Sequence, residues 1–321
     1  MNRKELLTLG FKRIKDLELD NPEYLKWVTR FTMDVLEQDL GDRGDITTRL
    51  LFGFQTYPAT ALVRIKENGV LAGVEEVTWF LQQEGIEVKS LIKDGERVNV
   101  GDTVLELRGS KKRLLETERT CLKVLQRMSG IASTTRKVID EIVEAGLDTM
   151  IVATRKTHWQ LLDKKAVYLG GGGTHRLGLW EAILIKGNHL KELKREGYSE
   201  KYIEEALNRV WNQRETVAFI EIEVETEEDA CTAAETFKRL QQQGEAIPCI
   251  VMLDNMLPEK IRKVIKELKK RDVYNHILLE ASGGINQKNI LEYAKTGVDV
   301  VSLGSLTHSP KSLDINQNLI S

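Results

Sequence analysis

Residues 154–189 concentrate side chains that could bind a small anion. The segment carries six cations against two acids, together with a run of four glycines, in a chain whose formal net charge is −2. Arginine and lysine bind carboxylates and phosphates through charge-assisted hydrogen bonds, and glycine lets a ligand approach the backbone. Lys164 and Lys165 fall on a predicted helix, and we interpret them as part of its solvated face. The predicted polyanion site comprises Arg155, Lys156, His175, Arg176 and Lys186.

Two carboxylates, Glu223 and Asp254, end two consecutive apolar runs farther along the chain. Such a pair could hold Mg²⁺ while substrate phosphates and water complete its coordination, or one carboxylate could act as a general base. Glu221 and Glu225 share the face of Glu223 by strand alternation, so one of these three acids could be a salt-bridge partner. We favour Glu223 for the site because it lies nearest the predicted strand end while remaining in register.

Two glycine turns complete the candidate set. Ser282, Gly283 and Gly284 precede a predicted helix, and Gly304 follows the last strand-like run. A turn of this kind exposes backbone N–H groups at the positive end of a helix, where a phosphate binds favourably. Their position after the last two strands is typical of the phosphate site in (β/α) barrels.

The elements that must position these residues alternate regularly from about residue 147 onward. Amphipathic segments of helical period follow strand-like runs rich in Ile, Val and Leu, namely DTMIVAT, EAILIKG, VAFIEIEV, PCIVMLD, HILLEAS and VDVVSLG. Near-continuous apolar strands separated by helices indicate a parallel sheet covered by helices, and the spacing is that of a (β/α) barrel. Since these runs end in the polar and glycine residues above, we expect the candidates to converge at the carboxyl edge of the sheet.

Composition and charge argue against several other classes. The near-neutral balance is unlike that of a nucleic-acid-binding protein, and no apolar run approaches the ~20 residues that cross a bilayer. Cys121, Cys231 and Cys249 are widely spaced and form neither a zinc pattern nor a disulfide framework, which favours a reducing cytoplasm. The N-terminus is too charged for a signal-peptide core. We expect a soluble cytoplasmic protein that binds small molecules.

Nine short motifs occur in the order in which the quinolinate phosphoribosyltransferase family carries them. The chain resembles that family over about residues 30–316. The motifs are DLGDRGDITT (39–48), ETERTCLKVLQRMSGIAS (116–133), TRKT (154–157), GGGGTHR (170–176), IKGNH (185–189), EIEVE (221–225), MLDN (252–255), EASGGI (280–285) and GVDVVSLGSLTHS (297–309). One such motif would be weak evidence, whereas nine in sequence are specific.

The resemblance implies an α/β fold of two domains. Residues 31–145 would form an α/β sandwich that the C-terminal tail 306–321 rejoins, and residues 146–305 an incomplete (β/α) TIM-like barrel, with residues 1–30 as an N-terminal extension. It also implies a homodimer, or a higher homo-oligomer, in which the sandwich of one subunit caps the barrel of the other. Arg119 would then reach the partner's site and bind a substrate carboxylate.

The implied activity is transfer of a phosphoribosyl group from phosphoribosyl diphosphate to quinolinate with decarboxylation, which gives nicotinate mononucleotide for NAD biosynthesis. Catalysis would involve both lysines at strand ends and both carboxylates, and the carboxylates would also hold Mg²⁺. The assignments that the resemblance implies are Arg155, His175 and Arg176 for the dicarboxylate, Lys156 and Lys186 near both substrates, Glu223 and Asp254 for Mg²⁺ and the ribose, and Ser282, Gly283, Gly284 and Gly304 for the 5-phosphate.

The chain departs from the family pattern near the acceptor-binding motifs. Residues 158–167 lack the Pro, Gly and Arg usual there, and Gly187, Lys123 and Ala153 stand where Asp, Asn and Asp are common. Phosphoribosyl transfer is therefore better supported than quinolinate as the acceptor, and a related transferase acting on another base stays open. A Schiff-base aldolase that uses one of the strand-end lysines, and a non-catalytic anion-binding barrel, are further alternatives.

Overall fold

The computed structural model describes residues 2–53, 57–242, 244 and 247–320. These residues form two compact units. The parallel-sheet unit consists of the described residues of Met1–Arg13, Lys137–Thr157 and Gly172–His308, and the antiparallel-sheet unit of those of Ile14–Arg136, His158–Gly171 and Ser309–Ser321. Segments of the two units alternate along the chain, whereas each predicted domain is almost contiguous in sequence. The predicted domain boundaries stay a prediction.

Helices and strands are numbered in chain order. The helices are α1 (Arg3–Phe11), α2 (Pro22–Leu40), α3 (Ile46–Phe52), α4 (Val74–Gln83), α5 (Lys111–Glu144), α6 (Leu161–Leu169), α7 (Gly187–Arg195), α8 (Tyr202–Trp211), α9 (Glu227–Gln241), α10 (Pro258–Lys270), α11 (Ile290–Ala294) and α12 (Ser305–His308). The strands are β1 (Pro58–Ile65), β2 (Gly69–Val70), β3 (Glu87–Ser90), β4 (Arg97–Val98), β5 (Thr103–Ser110), β6 (Met150–Ala153), β7 (Ile183–Ile185), β8 (Ile220–Val224), β9 (Cys249–Asp254), β10 (Leu278–Ser282), β11 (Val300–Leu303) and β12 (Ile315–Ile320).

The parallel-sheet unit contains a six-stranded sheet in the order β6-β11-β10-β9-β8-β7, and every pairing within it is parallel. Nearly every residue of β9, β10 and β11 is buried, as expected for strands covered on both faces. The register places Ser282 opposite Asp254, and Glu223 opposite Met252. The parallel sheet predicted from the strand pattern is therefore confirmed, and its carboxyl ends lie along one edge.

An apolar cluster fills this unit below that edge. The ring of Phe11, at the end of α1, is fully buried there against apolar residues near the starts of the strands. Its neighbours in the cluster are Val152, Ala182, Phe219, Ile250, Leu278 and Val300. Burial of one such aromatic side chain contributes about 2 kcal/mol. The N-terminal helix is thus part of the core of the parallel-sheet unit.

The antiparallel-sheet unit contains a four-stranded sheet in the order β12-β1-β5-β3. Strands β2 and β4 form a separate two-stranded sheet in the same unit. The C-terminal strand β12 pairs antiparallel with β1 from Thr60↔Ile320 to Ile65↔Ile315. Helix α4 begins where the carboxylate of Asp94 accepts the N–H groups of Val74 and Glu75, at 2.9 and 3.1 Å. This places a carboxylate at the positive end of the helix dipole.

Lys164 and Lys165 are buried in this unit, so their interpretation as a solvated helix face was wrong. Their exposed fractions are 1% and 2%. Lys165 forms ion pairs with Glu75 and Glu76, and the hydroxyl of Tyr24 donates to Glu76 at 2.7 Å. Two acids from a distant helix supply the partners that a buried ammonium requires.

None of the helices in the described part of the chain is both long enough and apolar enough to cross a membrane.

Candidate active site

Lys156 and Gly304 lie together at the carboxyl ends of the neighbouring strands β6 and β11. The Lys156 N–H donates to Thr154 Oγ1 at 3.1 Å, and the Lys156 carbonyl accepts the Thr307 hydroxyl at 2.8 Å. A Cβ added at Gly304 would lie 3.4 Å from Lys156 Cδ and 3.2 Å from a ring carbon of His308. These contacts hold the backbone of an exposed lysine beside the glycine that follows β11.

Glu223 and Asp254 also lie at this edge. The N–H of Gly187, at the start of α7, donates to Glu223 Oε1 at 3.3 Å, which brings the residue after Lys186 against the carboxylate. Burial raises the pKa of Asp254, and the charge of Glu223 raises it further, while Lys156 acts in the opposite direction. The two acids and the lysine therefore lie close enough to influence one another electrostatically.

The glycine turn after β10 lies next to Asp254. The N–H of Asn255 donates to the Ser282 carbonyl at 2.9 Å, and its side-chain amide donates to Asp254 at 2.7 Å. Gly283 has φ 90° and Gly284 φ 67°, and a Cβ at Gly283 would lie 2.2 Å from Asn255 Oδ1. Glycine is thus required at position 283, and successive left-handed residues form the kind of backbone concavity that binds anions.

A buried cluster of His175, Glu221 and Glu280 lies one alternation step below this edge. The imidazole Nε2 is 3.2 Å from Glu221 Oε2 and 3.3 Å from Glu280 Oε2. Both glutamates are fully buried and His175 nearly so, and ligand-type atoms of the three lie within 4.8 Å of one another. Two carboxylates so close together require a positive charge or a proton between them.

The cluster retains a proton through neutral pH. Burial alone would lower the pKa of His175, but the charges of Glu280 and Glu221 outweigh it and raise that pKa to about 9. Burial and the charge of Glu280 raise the pKa of Glu221 to about 7. Nε2 of His175 faces both carboxylates, and Nδ1 lies 2.7 Å from the backbone nitrogen of Arg176.

Arg176 follows the cluster and lies near Arg155. Burial lowers the pKa of Arg176, and the positive charge of Arg155 lowers it further, while Glu221 and Glu181 act in the opposite direction. Both side chains stay charged, because arginine does not lose its proton in proteins. Two guanidinium groups held near each other suit a ligand that carries two carboxylates.

Arg119 and the loop 158–160 belong to the antiparallel-sheet unit. Arg119 is exposed on α5. In the loop, the ring of Trp159 packs on Phe31 at a centroid distance of 4.7 Å and lies 5.0 Å from the Arg127 guanidinium. The structure therefore does not bring Arg119 together with the other candidates within one unit.

Reasoning from the sequence missed Glu280 and left the role of Glu221 open. Glu221 and Glu280 stand two positions before Glu223 and Ser282, so strand alternation puts each pair on one face. An acid in the middle of an otherwise apolar strand was the available signal, because a buried carboxylate needs a partner. The partner, His175, lies on a loop segment whose path the sequence did not reveal.

Two protein-family models together match almost all of the chain after residue 44. The model described as quinolinate phosphoribosyl transferase, C-terminal domain, matches residues 131–318, and the corresponding N-terminal domain matches residues 45–129. The chain belongs to the quinolinate phosphoribosyl transferase family. Residues 1–44 lie outside both matched segments.

Relatives and solved structures agree with this membership of the quinolinate phosphoribosyl transferase family. The probable nicotinate-nucleotide pyrophosphorylase [carboxylating] of Methanocaldococcus jannaschii is 36% identical over 293 residues, which cover 89% of this chain and 94% of that protein. Its Bacillus subtilis counterpart is 34% identical, covering 88% and 90%. The structure of the nicotinate-nucleotide pyrophosphorylase from Francisella tularensis has a TM-score of 0.78 at 30% identity, covering 92% of this chain and 96% of that one. The predicted α/β class, a sandwich domain with an incomplete barrel, is confirmed.

Proposed function

We propose that this protein transfers the phosphoribosyl group of phosphoribosyl diphosphate to quinolinate and that the product loses CO₂. The products are nicotinate mononucleotide, CO₂ and diphosphate, which makes the reaction a step of NAD biosynthesis. The observation that carries this proposal is that the parallel-sheet unit contains two pairs of interacting side chains. One pair is cationic, Arg155 and Arg176, and the other is acidic, Glu223 and Asp254. The names of the relatives, nicotinate-nucleotide pyrophosphorylase [carboxylating], support the same reaction.

The cationic end of the site suits the acceptor. Arg155 and Arg176 would bind the two carboxylates of quinolinate, with His175 behind them and Lys156 and Lys186 between the two substrates. Each charge-assisted hydrogen bond contributes roughly 1.5–3 kcal/mol, so two or three suffice for micromolar binding. Burial and, after it, the charge of Arg155 lower the pKa of Arg176, and a bound dianion would offset the charge repulsion between the two guanidinium groups.

The carboxylate end suits the donor. Burial and, after it, the charge of Glu223 raise the pKa of Asp254. A divalent cation between the two carboxylates would relieve their repulsion, and the residues fit Mg²⁺. Mg²⁺ held there would neutralise charge on the diphosphate leaving group. We assign the 5-phosphate to the backbone turns. The residues proposed for it are Ser282, Gly283, Gly284 and Gly304.

The two steps need different help from the protein. In the first, the pyridine nitrogen bonds to ribose C1 as the bond from C1 to the diphosphate oxygen breaks, and positive charge develops on the ribose. Glu223 and Asp254 would stabilise that charge. In the second, the bond from ring C2 to its carboxylate breaks, CO₂ leaves, and the electron pair on C2 takes up a proton. The pyridinium ring is the electron sink for this step.

The proposal includes a homodimer or larger homo-oligomer in the cytoplasm. Arg119 of one subunit would complete the acceptor pocket of its partner, and its exposure on α5 supports a role outside its own unit. Cys121, Cys231 and Cys249 are buried free thiols, which suits a reducing compartment.

Release of diphosphate and CO₂ by the purified protein, with quinolinate compared against nicotinate, tests the proposal. We expect both products from quinolinate and neither from nicotinate. If the protein uses another base and not quinolinate, the proposed acceptor is wrong but the phosphoribosyl transfer still holds. Gly187 and the loop 158–160, where the chain departs from the family pattern, are the residues that favour this outcome. Borohydride trapping of a sugar phosphate on the protein would indicate an aldolase instead. Binding of phosphoribosyl diphosphate without turnover of any base would indicate a non-catalytic anion-binding barrel.

A further inference from the structure

We propose that the N-terminal segment, residues 2–13, holds the loop segment 174–177 in place, with Phe11 and Arg13 as positioning residues for His175 and Arg176. The N-terminal segment lies outside both segments that the family models match. The inference rests on the proposed function insofar as it concerns acceptor binding. Its structural part stands on the contacts below.

The N-terminal helix α1 is anchored at its first turn. Arg3 Nε donates to Asp299 Oδ1 at 2.8 Å, and its guanidinium donates to the Tyr274 carbonyl at 2.7 Å. The Asp299 carboxylate also accepts the N–H of Leu279 at 2.8 Å, so the same side chain joins α1 to the start of β10. The helix is therefore fixed to the sheet before it reaches Phe11.

Phe11 contacts the segment on one side of His175 and the ring of His175 itself. Its carbonyl accepts two hydrogen bonds from Thr174, one from the N–H at 2.7 Å and one from the hydroxyl at 2.9 Å. Its ring lies 5.5 Å from the His175 ring and 5.3 Å from that of Phe219, centroid to centroid. Glu221 and Glu280 bind the imidazole from the sheet.

Arg13 acts on the other side of the same two residues. Its Nε lies 3.1 Å from Glu181 Oε1, and the second oxygen of that carboxylate accepts the N–H of Leu177 at 2.8 Å. Glu181 is buried, with an exposed fraction of 5%. The N-terminal segment thus reaches both residues that flank His175 and Arg176, once through a carbonyl and once through a carboxylate.

The backbone of His175 explains why such support is needed. Its φ is 50°, a left-handed conformation that a non-glycine residue adopts at a cost. Strained conformations persist where surrounding contacts determine them, and they concentrate at ligand sites. With the flanking bonds lost, we expect residues 174–177 to relax toward ordinary dihedral angles. The His175 and Arg176 side chains would then leave their positions.

Hydrogen exchange and kinetics on Arg13→Ala and Phe11→Leu test this inference in the full-length protein. We expect amide exchange in residues 174–177 to speed up about tenfold in both, with α10 unchanged, since local opening follows the loss of local contacts. Arg13→Ala removes the ion pair to Glu181, and Phe11→Leu removes the ring contact to His175. We also expect KM for quinolinate to rise about tenfold while KM for phosphoribosyl diphosphate stays within about twofold, as for loss of one charged hydrogen bond. Arg13→Lys, which keeps the charge, is expected to recover most of both effects.

Leu9→Ala is the matched control, because it shortens an apolar side chain of the same helix that is 45% exposed. It is expected to match wild type in both measurements. Unchanged exchange at 174–177 in both Arg13→Ala and Phe11→Leu would overturn the inference, as would equal rises in KM for the two substrates. If the wild-type protein does not use quinolinate, the proposed function fails, whereas the exchange measurement still decides the positioning role.

Discussion

The parallel sheet carries two sets of acids and polar residues one alternation step apart, and burial separates their roles. Glu223 and Ser282 lie at the carboxyl edge and are partly exposed, whereas Glu221 and Glu280, two residues earlier on the same strands, are fully buried. The upper residues contact the backbone of Gly187 and Asn255, while the lower ones bind His175. A glutamate is thus partly exposed at position 223 and part of a buried charged cluster at position 221, two residues earlier on the same strand.

The largest test of this comparison removes both edge carboxylates. We expect Glu223→Gln with Asp254→Asn to lower kcat by about 10⁴-fold, because we propose that both groups stabilise the charge that develops during transfer. The free energy of unfolding is expected to change by less than about 0.5 kcal/mol, because both side chains are partly exposed at the edge of the sheet. Steady-state kinetics and urea unfolding measure the two effects. A large loss of stability would show that the edge pair is structural.

The second test removes the centre of the buried cluster. His175→Ala leaves the carboxylates of Glu221 and Glu280 without their imidazole, and breaking a buried charge pair costs about 3–5 kcal/mol. Urea unfolding at pH 7 should show this loss. The control is Glu225→Gln, at an exposed position beyond β8. Equal stability of the two variants would contradict the assignment of a structural charge.

The pH dependence of stability separates the layers further. The folded pKa of His175, about 9, lies above its ordinary 6.5, so its contribution is complete below about pH 6.5 and disappears as pH rises through 9. The raised pKa of Glu221, about 7, acts in the same direction at lower pH. We expect unfolding free energy to fall by on the order of 2–3 kcal/mol between pH 6.5 and 9.5. Glu280→Gln should flatten this slope, and an equally steep decline in that variant would contradict the account.

The smallest expected effect is that of a substitution in the glycine turn Ser282–Gly284, which we propose binds the 5-phosphate. Gly283→Ala places a Cβ 2.2 Å from Asn255 Oδ1 at φ 90°, so the turn must shift. We expect KM for phosphoribosyl diphosphate to rise about tenfold with KM for quinolinate unchanged, since a displaced backbone loses one or two hydrogen bonds to phosphate. Gly187→Ala is the control, because its Cβ would meet Glu223 Oε1 at an ordinary 3.4 Å. An equal rise in KM for phosphoribosyl diphosphate in Gly283→Ala and Gly187→Ala would contradict a specific role of the glycine turn in donor binding.

The edge residues could be predicted from the sequence because one rule places them. In a parallel sheet the carboxyl ends of the strands meet, so Glu223, Asp254 and Ser282 needed only correct strand assignments. The burial of Lys165 could not be predicted, because its partners Glu75 and Glu76 lie on α4, far away in sequence. Nor could the position of α1, a nine-residue helix with little amphipathic character. Local periodicity identifies a helix but not the surface that receives it.

The order in which the chain is made adds a constraint on how this fold forms. Phe11 packs against Ile250, Leu278 and Val300, and β1 pairs with β12 at the end of the chain. Translation adds roughly 5–20 residues per second, so the first helix waits for tens of seconds before its core exists. Contacts this distant in sequence also slow folding. The buried face of α1 therefore has no native partner until the strands of the parallel sheet have been synthesised.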